Sequence, residues 1–444
     1  MKKLNKRWQL LLYAASGMGV NMMNLMMGSY LCSALLTGGF GEAAIPYQTY
    51  LSRDLVIAGV WSVFVLIAKI IDGVIDIPMA SFTDRLRTRW GRRRPALVIG
   101  MVPMILSYVL FLAVPQPEGA TLLNTIYYGV MLCIFYSFYT LTMVTYYATY
   151  TEIVDNERDR TTISNVKSVF DILYFILGYV VVRMLLNGLN IRVVALITLP
   201  LVLTMLIPLF MIREPSTLDG KLENGEESVN LIRSLACTFK NKNFIIWMVV
   251  YAFMTFGVQL FLGGINEYFS YVGMNMMFVM LAAFAPVPLT LMLYNRILYR
   301  WGFGVAFRYT LILFSVGMLL MFGVGLMPQG TPKMIASIGT GLVSSLAIGS
   351  LFAVAYSVPS QLAADEEQQT GISNSAMYFA VQGLFSGVAT GIGAGVVLTA
   401  LKTQNAITYL TLISAAGTLI AFIFTFFLPA SVRRIGLNTK KKAE

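Results

Sequence analysis

The sequence predicts an all-α polytopic membrane protein of about twelve transmembrane helices, arranged as two pseudo-symmetric six-helix bundles. Three observations predict it. Hydrophobic residues fill 57% of the 444 positions, charged residues only 12%, and the mean hydropathy is +0.73, far from the composition of soluble domains. Apolar runs long enough to cross a bilayer, roughly 20 residues each, recur about a dozen times along the chain. Two short motifs return in the second half at nearly the same offset, as a duplicated architecture requires.

The first six runs lie near residues 11–36, 57–82, 96–115, 121–150, 166–188 and 192–212, and the second six near 244–269, 273–295, 303–326, 333–360, 371–400 and 406–429. The opening MKKLNKRWQLLLYAASGMG has the basic start and apolar run of a signal peptide. Asn21, Asn24 and a methionine-rich continuation follow without a small-residue cleavage site, so it reads as an uncleaved first span. DRLRTRWG after the second run returns as NRILYRWG after the eighth, with Arg85 and Arg296 at equivalent places, and TTISN at Thr161 returns as TGISN at Thr370. Between the halves, REPSTLDGKLENGEESVN (213–230) has the Gly, Pro and charge of a linker. The predicted organisation is a first bundle over 1–212, a cytoplasmic linker over 213–243, a second bundle over 244–429 and a basic tail over 430–444. Duplicated halves of this kind characterise transporters that rock around a site near the bilayer midplane.

The net charge of +11 points to membrane topology rather than to nucleic acid. With the N-terminus inside, the inner segments collect most of the lysine and arginine, whereas the outer segments hold only Arg53, Arg183, Arg192, Lys333 and Lys402. The positive-inside bias therefore puts both termini in the cytoplasm and the protein in the cytoplasmic membrane, among its lipids. The three cysteines, Cys32, Cys133 and Cys237, imply neither a disulfide framework nor a metal cluster. Because histidine is absent, any proton chemistry in the membrane falls to carboxylates.

The second span holds Lys69, Asp72 and Asp76, which a helix brings to one face. A carboxylate at a span's centre costs roughly 2.5–3.5 kcal/mol on insertion scales, which makes an intramembrane acid a functional candidate. The three charges sum to one uncompensated negative charge that a single Na⁺, Li⁺ or H⁺ would neutralise; an ion-paired face locking two helices is the plainer reading. Lys167 and Asp171 on the fifth span read as a self-neutralised pair or as substrate contacts. Asn21 and Asn24 offer amides to a hydroxylated ligand or to a neighbouring helix, and Tyr146 and Tyr147 offer aromatic faces beside Thr140, Thr142 and Thr145. The six arginines from Arg85 to Arg94 fall in a short inner loop, outside the hydrocarbon. There Arg85, Arg89 and Arg92, with Arg296 and Arg300 of the repeat, form a candidate cytoplasmic gate with Glu152, Asp155 and Asp365.

The string DGVIDIP from Asp72, followed by DRLRTRWGRRRP from Asp84, closely resembles the second helix and following loop of the glycoside-pentoside-hexuronide:cation symporters, the melibiose-permease-like branch of the major facilitator superfamily. YTLTMVTYYATYTEIVDNERDRTTISN (139–165), LAADEEQQTGISNSAMYFAVQG (362–383), the length and the twelve-span layout support the resemblance. It implies the major facilitator fold, a cation site on Asp72 and Asp76 with Thr140 as hydroxyl ligand, and Lys69 as the family's basic residue one turn earlier. An asparagine ligand of sodium-using melibiose carriers falls on Ile75. The acid of the first helix falls on Asn21, and the sugar-gripping acid of the fourth on Met143; the aromatic is kept as Tyr147 and the basic residue of the fifth helix as Lys167. A lysine of the eleventh helix falls near Gly387, leaving Gln382 as the polar residue there. The resemblance thus implies Na⁺- or H⁺-coupled symport of a sugar or glycoside, with a substrate site built from Asn21, Asn24, Met143, Tyr147, Lys167, Asp171 and Gln382.

Two further readings remain at this stage: the same fold carrying an amphiphilic or drug-like compound, suggested by the methionine-rich first span and the missing sugar acid, or a non-transporting membrane receptor. An enzyme is not expected, since the sequence holds no nucleophile–base pattern or nucleotide loop and needs no cofactor beyond the coupling ion. The glycine-rich GVATGIGAG (387–395) sits within a span, where small residues serve helix packing.

Overall fold

The computed structural model describes residues 7–36, 53–75, 78–79, 82–83, 86–153, 157–212, 214, 216, 242–370 and 375–437. Among them there is no strand, and helix occupies each of the twelve predicted runs. The chain divides into two compact units, the first running to residue 225 and the second from 226, apart from a short segment near residue 40. Among the described residues, eight helices are long and apolar enough to cross a membrane, or nine when one bent pair counts as a single span.

In the first unit the helices are α1 (Trp8–Leu35), α2 (Ala58–Val74), α3 (Arg93–Phe111), α4 (Leu122–Glu152), α5 (Glu157–Ile176) and α6 (Ile191–Met211). The first and last of these are not uniform α-helix. α1 widens to a π-helical turn over Met26–Leu31, and α6 tightens to 3₁₀ over Leu199–Met205, where Pro200 removes a ladder donor. Polar side chains stitch the spans from within: Tyr146 on α4 donates to the Tyr13 carbonyl of α1 at 2.6 Å, and Thr204 on α6 donates to the Ser16 carbonyl at 2.8 Å. Met22, Met23, Met26 and Met27 of α1 are all buried. The methionine-rich run thus fills this unit's core, where flexible thioethers suit the gaps left by an irregular helix.

The second unit contains α7 (Lys242–Gly263), α8 (Ile265–Val272), α9 (Met276–Phe284), α10 (Val287–Trp301), α11 (Phe303–Gly325), α12 (Thr331–Thr370), α13 (Ser375–Thr390), α14 (Leu398–Thr403) and α15 (Leu410–Phe424). The run expected as one span over 244–269 is broken at Gly264, so α8 is a separate short helix. The next is bent by 40° between α9 and α10, where Pro286 cannot continue the ladder. The tenth span continues beyond residue 360 as helix to Thr370, and the fifth begins at Glu157, earlier than its hydropathy predicts, because polar residues extend both helices past the apolar run. Most of the expected linker lies outside the described residues.

The repeated Arg-Trp-Gly motif has the same local form in both units. Gly91 has φ +84° and Gly302 φ +82°, each turning the chain into the following helix. Arg89 lies 4.8 Å from the Trp90 ring, and Arg300 lies 5.3 Å from that of Trp301. In each unit the chain leaving the last span crosses this turn. A side-chain carbon built on Gly91 would fall 2.3 Å from Glu214, and one on Gly302 would fall 2.7 Å from the Arg433 carbonyl oxygen.

Candidate functional site

The first unit gathers most of the predicted site residues into two adjoining polar clusters on its spans. In the first, α2 brings Lys69 and Asp72 together at 3.7 Å, three residues apart on one helix face. From α4, Thr140 donates its hydroxyl to the other Asp72 oxygen at 2.9 Å. The Lys69 ammonium lies 3.7 Å from the centre of the Tyr136 ring, a cation–π contact that compensates for water lost inside a span. The Asp72 side chain keeps 28% exposure, so its carboxylate is held but not sealed. Asp76 lies outside the described residues. The arrangement presents a carboxylate and a hydroxyl oxygen, the donors that a hard cation prefers.

The second cluster joins α1, α4 and α5. Lys167 and Asp171 form a close salt bridge one helical turn apart, and the Asn21 amide donates to the second Asp171 oxygen at 3.3 Å. Tyr139 donates to the Asn21 carbonyl oxygen at 3.3 Å and also hydrogen-bonds Asn24. Lys167 lies 5.1 Å from the Tyr147 ring. Met143, on α4 where a sugar-gripping acid was expected from the resemblance, is buried. Asn21, Asn24, Tyr147, Lys167 and Asp171 are thereby joined through hydrogen bonds and a ring contact, with Lys167 and Asp171 forming the self-neutralised pair. Tyr139, which bridges two of its helices, was missed; its position on the same face as Met143 was the available signal.

Gln382 belongs to the second unit, where its side-chain oxygen accepts from the Trp247 indole at 2.7 Å. Asp365 accepts from the Gln361 amide at 2.8 Å. Among the predicted gate residues, Arg85 and Asp155 lie outside the described residues, as does the side chain of Glu152. Arg296 and Arg300 are exposed at the end of α10. Arg92 stands at the N-cap of α3, and the acid that meets this loop in the structure is Glu214, just past α6: it accepts the Arg93 backbone N–H at 2.8 Å. A carboxylate at a helix N-terminus satisfies an orphan donor and faces the positive end of the helix dipole. Glu214 lay unnoticed among the linker's other charges.

A second acid was missed altogether. Glu267 on α8 is fully buried and bridges to Lys402 on α14 at 3.2 Å.

The sequence matches the model of a family described as MFS/sugar transport protein over residues 12–409. An uncharacterized symporter of Synechocystis is 31% identical over 128 residues, which are 28% of this chain and 24% of that relative, so the match spans about a quarter of the relative's length. Among solved structures, a peptide transporter of the POT type superposes with a TM-score of 0.68 at 11% identity, covering 98% of this chain and 97% of that one. The nucleoside transporter NupG superposes with a TM-score of 0.61 at 14% identity over 96% of this chain and 99% of that one. At such identities the structures share a fold and carry no substrate information.

Proposed function

Because the chain belongs to the MFS/sugar transport protein family of multi-pass membrane transporters, we propose that it takes up a sugar or glycoside by symport with Na⁺ or H⁺, cycling between outward- and inward-facing states. In this reading it sits in the cytoplasmic membrane with both termini inside. The observation that carries it is the hydrogen bond from Thr140 to Asp72, with Lys69 on the opposite oxygen. It joins two spans through a half-exposed carboxylate, so that a cation arriving at Asp72 changes the contact between α2 and α4. Asp76, four residues further along the sequence, supplies the second acid. The cation neutralises the site, the Asn21–Tyr139–Asp171 network takes the sugar hydroxyls, and Tyr147 takes an apolar sugar face. Bound together, the two ligands favour the switch through their differential affinity for its two states.

The amphiphile reading loses one of its two supports, since the methionines of α1 are core residues of the first unit. The test is the thermal stability of the purified protein across a panel of sugars and glycosides, with and without Na⁺ at two pH values, because a ligand that prefers the folded carrier raises its apparent stability. The expected result is a stabilising sugar whose effect grows with Na⁺ or at acid pH. A flat response to every sugar alongside stabilisation by an amphiphile would overturn the sugar assignment.

A further inference from the structure

From Tyr268 to Ala364, and again from Gln368 to Ala443, the chain carries no acidic residue. α11 lies in the first of these stretches and α15 in the second, and the two pack side by side, joined by the Ser315–Thr418 hydrogen bond at 2.7 Å. Past α15 the chain tightens to 3₁₀ over Thr425–Phe427, forms the short helix Ala430–Arg433 and returns to the start of α11, where the Phe303 N–H donates to the Ile435 carbonyl at 3.0 Å. This corner of the second unit, beside its Arg-Trp-Gly turn, is therefore built from segments without a single carboxylate side chain.

Two arginines meet there. Arg308 of α11 donates from Nε to the Thr425 hydroxyl at 3.3 Å and from Nη2 to the Thr425 carbonyl at 3.4 Å, and its guanidinium lies 3.9 Å from the centre of the Phe426 ring. Arg433 lays its stem on α11 one turn earlier: a side-chain carbon built on Gly304 would fall 2.9 Å from its Cγ. Each guanidinium lies within the other's field. Among the described residues neither arginine forms an ion pair, and Asp365, near the end of the neighbouring α12, is held by Gln361 instead. Capping the negative end of the α15 dipole accounts for Arg308. It does not account for a second guanidinium brought beside the first without a counter-charge, where like charges repel.

We infer that Arg308 and Arg433 bind the headgroup of an anionic phospholipid, taking its phosphate between their guanidinium groups and its acyl chains along α11 and α15. An anion shared by the two arginines removes their repulsion, and the planar guanidinium fork matches phosphate oxygens. The flanking surface selects a lipid over a free phosphate. Phe426 and Phe427 are exposed beside Arg308, and Ile312 and Val316 of α11 with Ile420 and Ile423 of α15 continue an exposed apolar surface along the two spans. Arg308 stands five residues into α11, about 8 Å of helical rise, which is the depth of a headgroup region. In the orientation proposed above this end of the unit faces the cytoplasm, the side of the anionic leaflet. The inference requires neither the coupling ion nor a sugar, so it stands or falls apart from the transport reading.

The test is the thermal stability of the purified full-length protein in a neutral detergent, titrated with phosphatidylglycerol, with phosphatidylcholine of the same acyl chains, and with inorganic phosphate at matched ionic strength. Phosphatidylglycerol is expected to raise the melting temperature more than phosphatidylcholine, and inorganic phosphate to leave it where it was. Arg433→Gln, which alters an exposed side chain, is expected to raise the phosphatidylglycerol concentration needed for half of the shift by about fivefold, the worth of one basic residue at an anionic surface. Arg308→Gln with Arg433→Gln should abolish the preference between the two lipids. Lys440→Gln with Lys441→Gln removes the same charge from the tail and is expected to keep it. Equal shifts from the two lipids in the wild type would overturn the inference without recourse to any variant. So would a phosphate shift as large as that of phosphatidylglycerol, an unchanged titration in Arg433→Gln, or an equal loss in the tail variant.

Discussion

The acids of the two units are held in opposite ways. In the first unit Asp72 and Asp171 keep 28% and 31% of their side chains exposed, and each places its two oxygens on two different partners. In the second unit Glu267 is sealed from solvent and has one oxygen bonded and one bare. The units nevertheless share the form of their Arg-Trp-Gly turns, with nearly equal φ values at Gly91 and Gly302. The turns that set helix direction recur while the charges differ: the first unit holds partly exposed acids, and the second holds one that is fully buried. A half-exposed, doubly bonded carboxylate can exchange a partner for a cation at little cost, whereas a sealed one must first give up a burial that its ion pair barely repays.

The largest expected effect tests this difference on the lysine side. Lys402→Met leaves a carboxylate in the core and is expected to cost about 3–5 kcal/mol near neutral pH, the typical penalty for removing one member of a buried pair. Lys167→Met, beside an Asp171 that Asn21 still holds, is expected to cost about 1 kcal/mol or less. Thermal melts of the two variants measure the gap. Equal penalties would remove the distinction between the units. A smaller effect separates the two turns. A side chain at Gly302 strikes a backbone oxygen that cannot swing aside, whereas at Gly91 it strikes the side chain of Glu214. Both alanine variants pay for the left-handed backbone, about 1 kcal/mol or more, and Gly302→Ala should melt lower than Gly91→Ala; the reverse order would show that Glu214 is the more rigid neighbour.

Much of the architecture was legible because it is written redundantly. The apolar runs specify spans, and the recurring Arg-Trp-Gly turn specifies the duplication, since the left-handed glycine leaves few substitutes. The pairing of Asp72 with Lys69 follows from helix spacing alone, and its contact with Thr140 from the family resemblance. The pairing of Glu267 with Lys402 was not legible, since the two lie 135 residues apart and neither has a charged neighbour to draw attention. The rule that singled out Asp72, an acid inside an apolar run, applied equally to Glu267. The break at Gly264 was hidden because hydropathy passes smoothly across a change of helix direction. Glu214 was hidden by the opposite circumstance, a surplus of nearby charge.

The most direct test of the coupling account is uptake into proteoliposomes driven by an imposed Na⁺ or proton gradient, using the sugar that stabilises the protein and comparing wild type with Asp72→Asn. The account predicts that the variant loses gradient-driven accumulation while still exchanging sugar down its own gradient, because the carboxamide keeps the contact with Thr140 but carries no charge for the cation to neutralise. An Asp72→Asn carrier that accumulates sugar as the wild type does would contradict it.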